Sequence, residues 1–407
     1  LTEFPGQADV LIAGAGPAGS ATAAFLAQAG CSVLVLDRAV FPRDKACSEY
    51  MSPETVRILH RLGVVEQLER AGAVALEGMK ITAPLGATAH GKFALSGHHP
   101  FRPTGISVSR RILDYQLVEA ARSAGAMVIE QARVEELLYD GGVIAGAVIR
   151  NHAGQRSSVR ARLTVGADGL HSIVARRMGQ RRHGNPRRVA FVAHLAGVRS
   201  MSRSAELHFG ESGYIGLNPI GADCTNVSLV LPGERAGPAR GRVEQFFWDV
   251  LGEFPAVRQR ILPGNVVRQV LATGPFAAWS GRVIAPGALL VGDAADFFDP
   301  FSGDGIHAAL RGAELVAETV VPALASPGPL TLDRLAEYRR RRRRVFAGKW
   351  VVERLIGRAL GFPRIFERGV ARIGRRDGMA HTLIGVAGGF VPAREVLNPL
   401  FLARAVL

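Results

Sequence analysis

From Val10 to Leu36 the chain carries no charged residue, a run longer than the roughly 20 apolar residues that a membrane span needs. Its glycines argue for a different structure. Gly14, Gly16 and Gly19 interrupt the run directly after Asp9–Ala13, and Gly30 and Cys31 interrupt it again before Val33–Leu36. The pattern predicts strand, turn, helix, turn, strand, with an apolar sequence because helices cover both faces of a buried parallel sheet. In this G-x-G-x-x-G spacing Gly14 permits the tight turn, Gly16 lets the backbone approach a pyrophosphate, and Gly19 lets the helix pack on the strand. The second strand ends in Asp37, about 20 residues on, where a carboxylate can accept from an adenosine ribose hydroxyl. FAD and NAD satisfy this fingerprint equally. A bare packing turn with a strand-end cap is the plainer alternative.

Hydrophobic residues at 48% and charged residues at 21% describe a folded globular chain. The charge balance is less ordinary, with 50 Lys and Arg against 35 Asp and Glu. Much of the excess sits in Arg339 to Arg344, within a helix expected from Leu332 to about Leu360. Six consecutive residues go right around a helix. Such a run is either a solvated surface with some arginine stems packed on neighbours, or a peripheral contact with lipid headgroups or the phosphates of a carrier-bound substrate. No zinc-finger spacing or RNP-type aromatic motif accompanies it, which argues against nucleic acid. Cys31, Cys47 and Cys224 form no C-x-x-C pair, so neither a disulfide framework nor a metal site is expected. Residues 1–10 lack the features of a secretory signal, and a cytoplasmic location is expected.

Two later segments separate FAD from NAD. Arg162–Ser172, containing Asp168, and Ala288–Ile306, containing Gly292, Asp293, Pro300, Gly303 and Gly305, resemble the later FAD motifs of the p-hydroxybenzoate hydroxylase superfamily. Aromatic hydroxylases, flavin halogenases and geranylgeranyl reductases belong to that group. The resemblance implies bound FAD, with Asp293 on the ribityl chain and a helix from Gly303 to Val316 aimed at the flavin, where its N-terminus favours the negative charge of the reduced ring. Phe41–Glu49 resembles the P-x-x-K-x-C-G segment of the reductases, with Ser48 in place of the usual Gly. It implies Lys45 and Cys47 close to the isoalloxazine; a small buried filler is the other reading of Cys47. Val108–Asp114 resembles the family's R-x-x-x-D helix start, implying that Arg110 reaches the diphosphate, although a surface cation also fits. Arg38, directly after Asp37, completes the cofactor-binding set.

The expected fold class is α/β. A Rossmann-like FAD-binding domain (1–84, 105–182 and 280–330) carries an antiparallel-sheet substrate domain (85–104 and 183–279) and a helical C-terminal region (331–407). No second glycine fingerprint is present, so NAD(P)H is expected as a transient reductant, or electrons arrive through a separate reductase. The resemblance implies first a monooxygenase that hydroxylates an apolar or aromatic small molecule through a flavin hydroperoxide. Its alternative is a geranylgeranyl-reductase-like enzyme acting on carbon–carbon double bonds. Halogenase ranks third, because Tyr214–Pro219 has no tryptophan, and a non-catalytic flavin-binding module ranks last. Tyr214, His194 and His208, on strand-like segments, are the candidates for moving a proton; each is equally a satisfied structural residue. Phe297, Phe298 and Phe301 fit an apolar substrate pocket or the core.

Overall fold

The computed structural model describes residues 4–406 except positions 186, 212, 263 and 377, so the ends of the expected first and last regions, residues 1–3 and 407, lie outside the described residues. Gln7–Ala13, Val33–Leu36 and Met127–Ile129 lie side by side in parallel, and on the opposite edge Arg156–Gly166 and Ala288–Leu290 continue the sheet in the same direction. The pleat divides these strands between two cores. Val10, Ile12, Val33 and Val35 pack with the helices Pro17–Gln28, Arg110–Ser123 and Gly305–Ala325. Leu11, Ala13, Leu34 and Leu36 face the other way.

Strands cover most of that second face, contrary to expectation, and the short helix Ile173–Arg177 adds Val174 and Ala175 to its core. Ala132–Asp140, Val143–Asn151 and Arg156–Gly166 form an antiparallel meander, and its Val134, Leu137, Ala147, Ile149 and Val159 close the core. An aliphatic strand reports that both its faces are buried, not what buries them.

A second sheet runs in the order Val266–Thr273, Arg188–Ala196, Cys224–Pro232, Tyr214–Gly221, Ser204–Phe209, Gly78–Thr82, Thr88–Lys92. Its neighbours are antiparallel except Ser204–Phe209 and Gly78–Thr82, which run parallel. Residues 78–84 therefore go with the substrate sheet, and the expected boundary at 84 falls inside a hairpin. Gly78 allows that hairpin to close, since a Cβ there would lie 1.9 Å from the Gly91 carbonyl oxygen. Arg181–His183, Ala278–Ser280 and Asp296–Phe297 form a small antiparallel sheet across the seam between the two domains.

The helix expected to end near Val316 continues to Ala325, and Leu332–Ala359 follows the expected span. Four further helices complete the C-terminal region: Pro363–Arg375, Met379–Ala387, Arg394–Leu397 and Pro399–Val406. Within the arginine run, Arg342 turns inward to Asp296 at 2.6 Å and lies over the rings of Phe346 and Trp350. Arg340 and Arg341 pair with Glu337, while Arg339, Arg343 and Arg344 are exposed. No helix among the described residues is long and apolar enough to cross a membrane.

Candidate FAD and substrate site

A cavity of about 830 Å³ opens where the parallel strands end against the second sheet. Ligands bind at this position in open α/β sheets, beyond the carboxyl ends of the strands. Gly14, Gly16, Asp37, Arg38, Lys45, Cys47, Arg110, Asp168, Asp293, Pro300, Gly303, Gly305 and Tyr214 line it. Gly19, Gly292, His194 and His208 do not.

The three fingerprint glycines serve different neighbours. Gly14 has φ +96°, and a Cβ there would meet the Ala167 carbonyl oxygen at 2.6 Å; a Cβ at Gly19 would sit 1.8 Å from the Gly14 carbonyl oxygen. Protein packing excludes a side chain at both. At Gly16 nothing comes closer than the Arg43 guanidinium at 3.7 Å, so its smallness leaves room for whatever enters the cavity. Asp37 accepts the Ala15 N–H at 2.7 Å and the Ala39 N–H at 2.8 Å. Its carboxylate thus caps the turn, and it retains lone pairs for a hydroxyl ligand.

Positive charge is concentrated beside the glycine turn. Asp114, fully buried, takes Arg110 in a bidentate pair at 2.6 and 2.7 Å and also Arg43 at 3.1 Å. Burial, then the charges of Arg110 and Arg43, hold the Lys45 ammonium below the usual lysine range; Asp293 and Asp114 oppose the shift. Two arginines and a lysine thus converge here, which suits a diphosphate. Burial pushes the Asp293 carboxyl up against the opposing charges of Lys45, Arg110 and Arg181, and among the described residues nothing donates a hydrogen bond to its side chain. Sugar hydroxyls would satisfy it. Asp168 accepts the Ile173 N–H at 2.6 Å at the start of the short helix Ile173–Arg177, which Ser172 caps, and its other oxygen has no partner among the described residues.

On the far side, Gly303 takes φ +66° with the Tyr50 ring 2.9 Å from where a Cβ would be. The helix Gly305–Ala325 then starts at the cavity with no acidic residue in its first turn. Asp304 pairs with half-buried Lys349 instead of capping that helix. Cationic side chains, a helix N-terminus and hydroxyl acceptors together fit FAD.

The Cys47–Glu49 loop is tied to the second sheet, because Asn226 donates to the Cys47 carbonyl at 2.7 Å and Asn218 to that of Ser48 at 3.0 Å. Glu49, next to the substituted Ser48, takes the left-handed conformation at φ 61°. Burial pushes the Cys47 thiol up, partly offset by Arg110.

Of the proton-transfer candidates, only Tyr214 faces the cavity. Its hydroxyl donates to Asp299 at 2.9 Å, and burial pushes the phenol up. His194 lies 2.8 Å from Glu49, and His208 lies 2.8 Å from Glu206, itself held by Arg260. Sequence reasoning passed over Tyr50, whose buried hydroxyl has no partner among the described residues. It stands in a small annex of about 30 Å³ that shares Ser48, Gly216, Ser228, Pro300 and Gly303 with the main cavity. Its only signal was its position three residues after Cys47.

Fold and site define a flavin-dependent oxidoreductase built on a dinucleotide-binding domain. The chain belongs to the FAD binding domain family, whose model matches residues 7–351, and so to the p-hydroxybenzoate hydroxylase-like superfamily. Digeranylgeranylglycerophospholipid reductase 1 of Methanococcoides burtonii is 30% identical over 326 residues, covering 78% of this chain and 76% of that protein. Menaquinone reductase of Mycolicibacterium smegmatis is 29% identical over 331 residues, covering 77% and 76%. Among solved structures, the myxobacterial chondrochloren halogenase superposes with TM-score 0.77 at 23% identity, covering 96% of this chain and 99% of its own. A geranylgeranyl bacteriochlorophyll reductase-like protein of Thermoplasma acidophilum gives 0.72 at 20% identity, covering 98% and 96%. These structures share the fold.

Proposed function

We propose that the protein is an FAD-dependent reductase that adds hydrogen across a carbon–carbon double bond of an isoprenoid lipid. The observation that carries this reading is the reductase-like segment Phe41–Glu49, whose Lys45 and Cys47 stand in the cavity wall. Relatives named as reductases of a prenylated phospholipid and of menaquinone support it over the monooxygenase expected first. Bound flavin supplies the hydride. The chain's own residues do the rest: Arg43, Lys45 and Arg110 hold the diphosphate, Asp293 orients the ribityl chain, and Ala190, Val192, Val230 and Phe276 keep water from the reacting carbons.

A proton must also reach the second carbon. Tyr214 donates to Asp299, whereas among the described residues nothing bonds the Tyr50 hydroxyl, which burial keeps protonated in the annex beside the cavity; we assign the proton delivery to it on that placement. Tyr50→Phe is expected to slow product formation by about 10²-fold at unchanged flavin content; an unchanged rate removes Tyr50 from the mechanism.

The reading is tested anaerobically, with the chemically reduced holoprotein and a polyprenyl substrate. A saturated product, with reoxidation of the flavin, supports it. An absolute need for oxygen and an oxygenated phenolic product would replace it with the monooxygenase, and halide-dependent product with the halogenase. Repeating the assay with NADH or NADPH identifies the electron source.

A further inference from the structure

Exposed apolar side chains gather where the last turns of Leu332–Ala359 meet Pro363–Arg375. Val351, Arg354, Leu355 and Arg358 recur at the spacing of one helix face, and all are exposed. Phe362, at the start of the next helix, is 61% exposed and Ile365 is 51% exposed, with exposed Arg364 and Arg368 beside them. Leu85, at 73% exposed, lies beside the same helix on a different side, since its N–H and that of Ala87 donate to the two oxygens of Glu367 at 2.8 and 2.7 Å. The Glu367 carboxylate is thereby engaged, and Glu353 turns inward to Ser302. The face has an apolar centre and a basic rim.

Behind it the apolar character continues. Half-buried Ile356, Leu360 and Phe366 pack on Phe209, Tyr214, Phe276 and Phe301, with the rings of Phe366 and Phe209 4.8 Å apart. Tyr214 and Phe276 are themselves walls of the cavity. The same apolar cluster thus reaches from the back of the surface patch to the wall of the site.

We propose that the face made by Val351, Leu355, Phe362 and Ile365, rimmed by Arg358, Arg364 and Arg368, seats the protein on an anionic bilayer, and that an isoprenoid chain enters the cavity between the two helices behind it. Large apolar groups surrounded by arginines match the acyl boundary and the headgroup charge of such a surface. This moves the lipid contact away from Arg339–Arg344, where Arg342 is buried and Arg340 and Arg341 are paired. The entry route rests on the isoprenoid reading; the docking face does not.

Co-sedimentation of the FAD-loaded protein with phosphatidylcholine vesicles containing phosphatidylglycerol tests the face. Binding that falls as salt rises is expected, together with a loss of roughly tenfold or more in the double variant Phe362→Asp, Ile365→Asp, which keeps its flavin absorbance. Replacing Arg339, Arg343 and Arg344 by Glu should leave binding unchanged. If instead that triple variant abolishes binding while the Phe362/Ile365 variant retains it, or if the natural protein ignores these vesicles, the proposal is overturned. Capture of a protein from a lysate by this face without vesicle binding would overturn it too. For entry, the Phe362/Ile365 variant should lose turnover of a vesicle-embedded polyprenyl substrate and keep that of a short water-soluble allylic one; equal loss of both overturns the route. Vesicle binding without turnover of either substrate by the natural protein would sink the reductase reading and leave the docking face standing.

Discussion

Gly19→Ala is expected to yield protein without stoichiometric flavin. The new Cβ would lie 1.8 Å from the Gly14 carbonyl oxygen, and that carbonyl has little room to move. Gly14 donates its N–H to the Leu36 carbonyl at 2.7 Å, and on the other side there is not even room for a Cβ, which would meet the Ala167 carbonyl oxygen at 2.6 Å. Either the helix Pro17–Gln28 lifts off the sheet or the turn flattens, and both take the backbone donors away from the diphosphate. Overpacking of this kind costs about 1–3 kcal/mol even in side-chain cores, and a rigid turn has fewer ways to relax. Asp293→Ala should act differently. It removes one buried acceptor, worth about 1–3 kcal/mol, so FAD affinity should fall by roughly 10- to 100-fold with the fold intact. Flavin-to-protein absorbance ratios after gel filtration, with circular dichroism alongside, separate the two. Full flavin in Gly19→Ala would mean that the turn does not carry the diphosphate, and undiminished affinity in Asp293→Ala would break the assigned ribityl contact.

The second large effect is expected at Glu314, remote from the cavity. Its fully buried carboxylate takes Arg57 at 2.8 and 3.1 Å, Arg311 at 2.9 Å, and Arg61. Burial pushes its carboxyl up, but the hydrogen bond from Arg57 and the charges of Arg57, Arg311 and Arg61 outweigh this and hold it below the usual carboxylate range. Removing one partner of a buried ionic cluster costs about 3–5 kcal/mol. Arg61 is 50% exposed and Arg57 28%, so solvent screening reduces the expected loss for Glu314→Gln to about 2–3 kcal/mol. The sign with pH follows from the lowered carboxyl. The stabilisation is complete above the unfolded value of about 4.3 and disappears as pH falls through the lower folded value. Denaturation midpoints of natural and variant protein should therefore differ at neutral pH and converge in acid; a gap that persists in acid would assign the effect to packing.

Features written into neighbouring residues are legible in the sequence itself. Gly14, Gly16 and Gly19 impose a turn through backbone sterics alone. Asp37 stands at the end of a short apolar strand, and Gly303 and Gly305 open a helix; each signal lies within a few positions of its effect. The reductase-like segment is legible as far as Lys45 and Cys47. Tyr50 is not, because its importance depends on a hydroxyl that no distant residue happens to reach, and the annex around it is built by Asn218, Ser228 and Gly303. The sequence leaves His194 and His208 open between proton carriers and satisfied structural residues, and in the fold Glu49 and Glu206 lie against them.

Order along the chain thus determined the dinucleotide-binding turn and the long arginine-rich helix, since local sterics and periodicity need no distant partner, whereas FAD rather than NAD was implied only by the resemblance of two later segments to known FAD motifs. Which strands cover the second face of the parallel sheet, which arginine of Arg339–Arg344 turns inward and which tyrosine keeps its proton free were decided only by tertiary structure. Each depends on residues far apart in sequence meeting in a low-dielectric interior, where a single nearby carboxylate settles whether a polar group is structural or available.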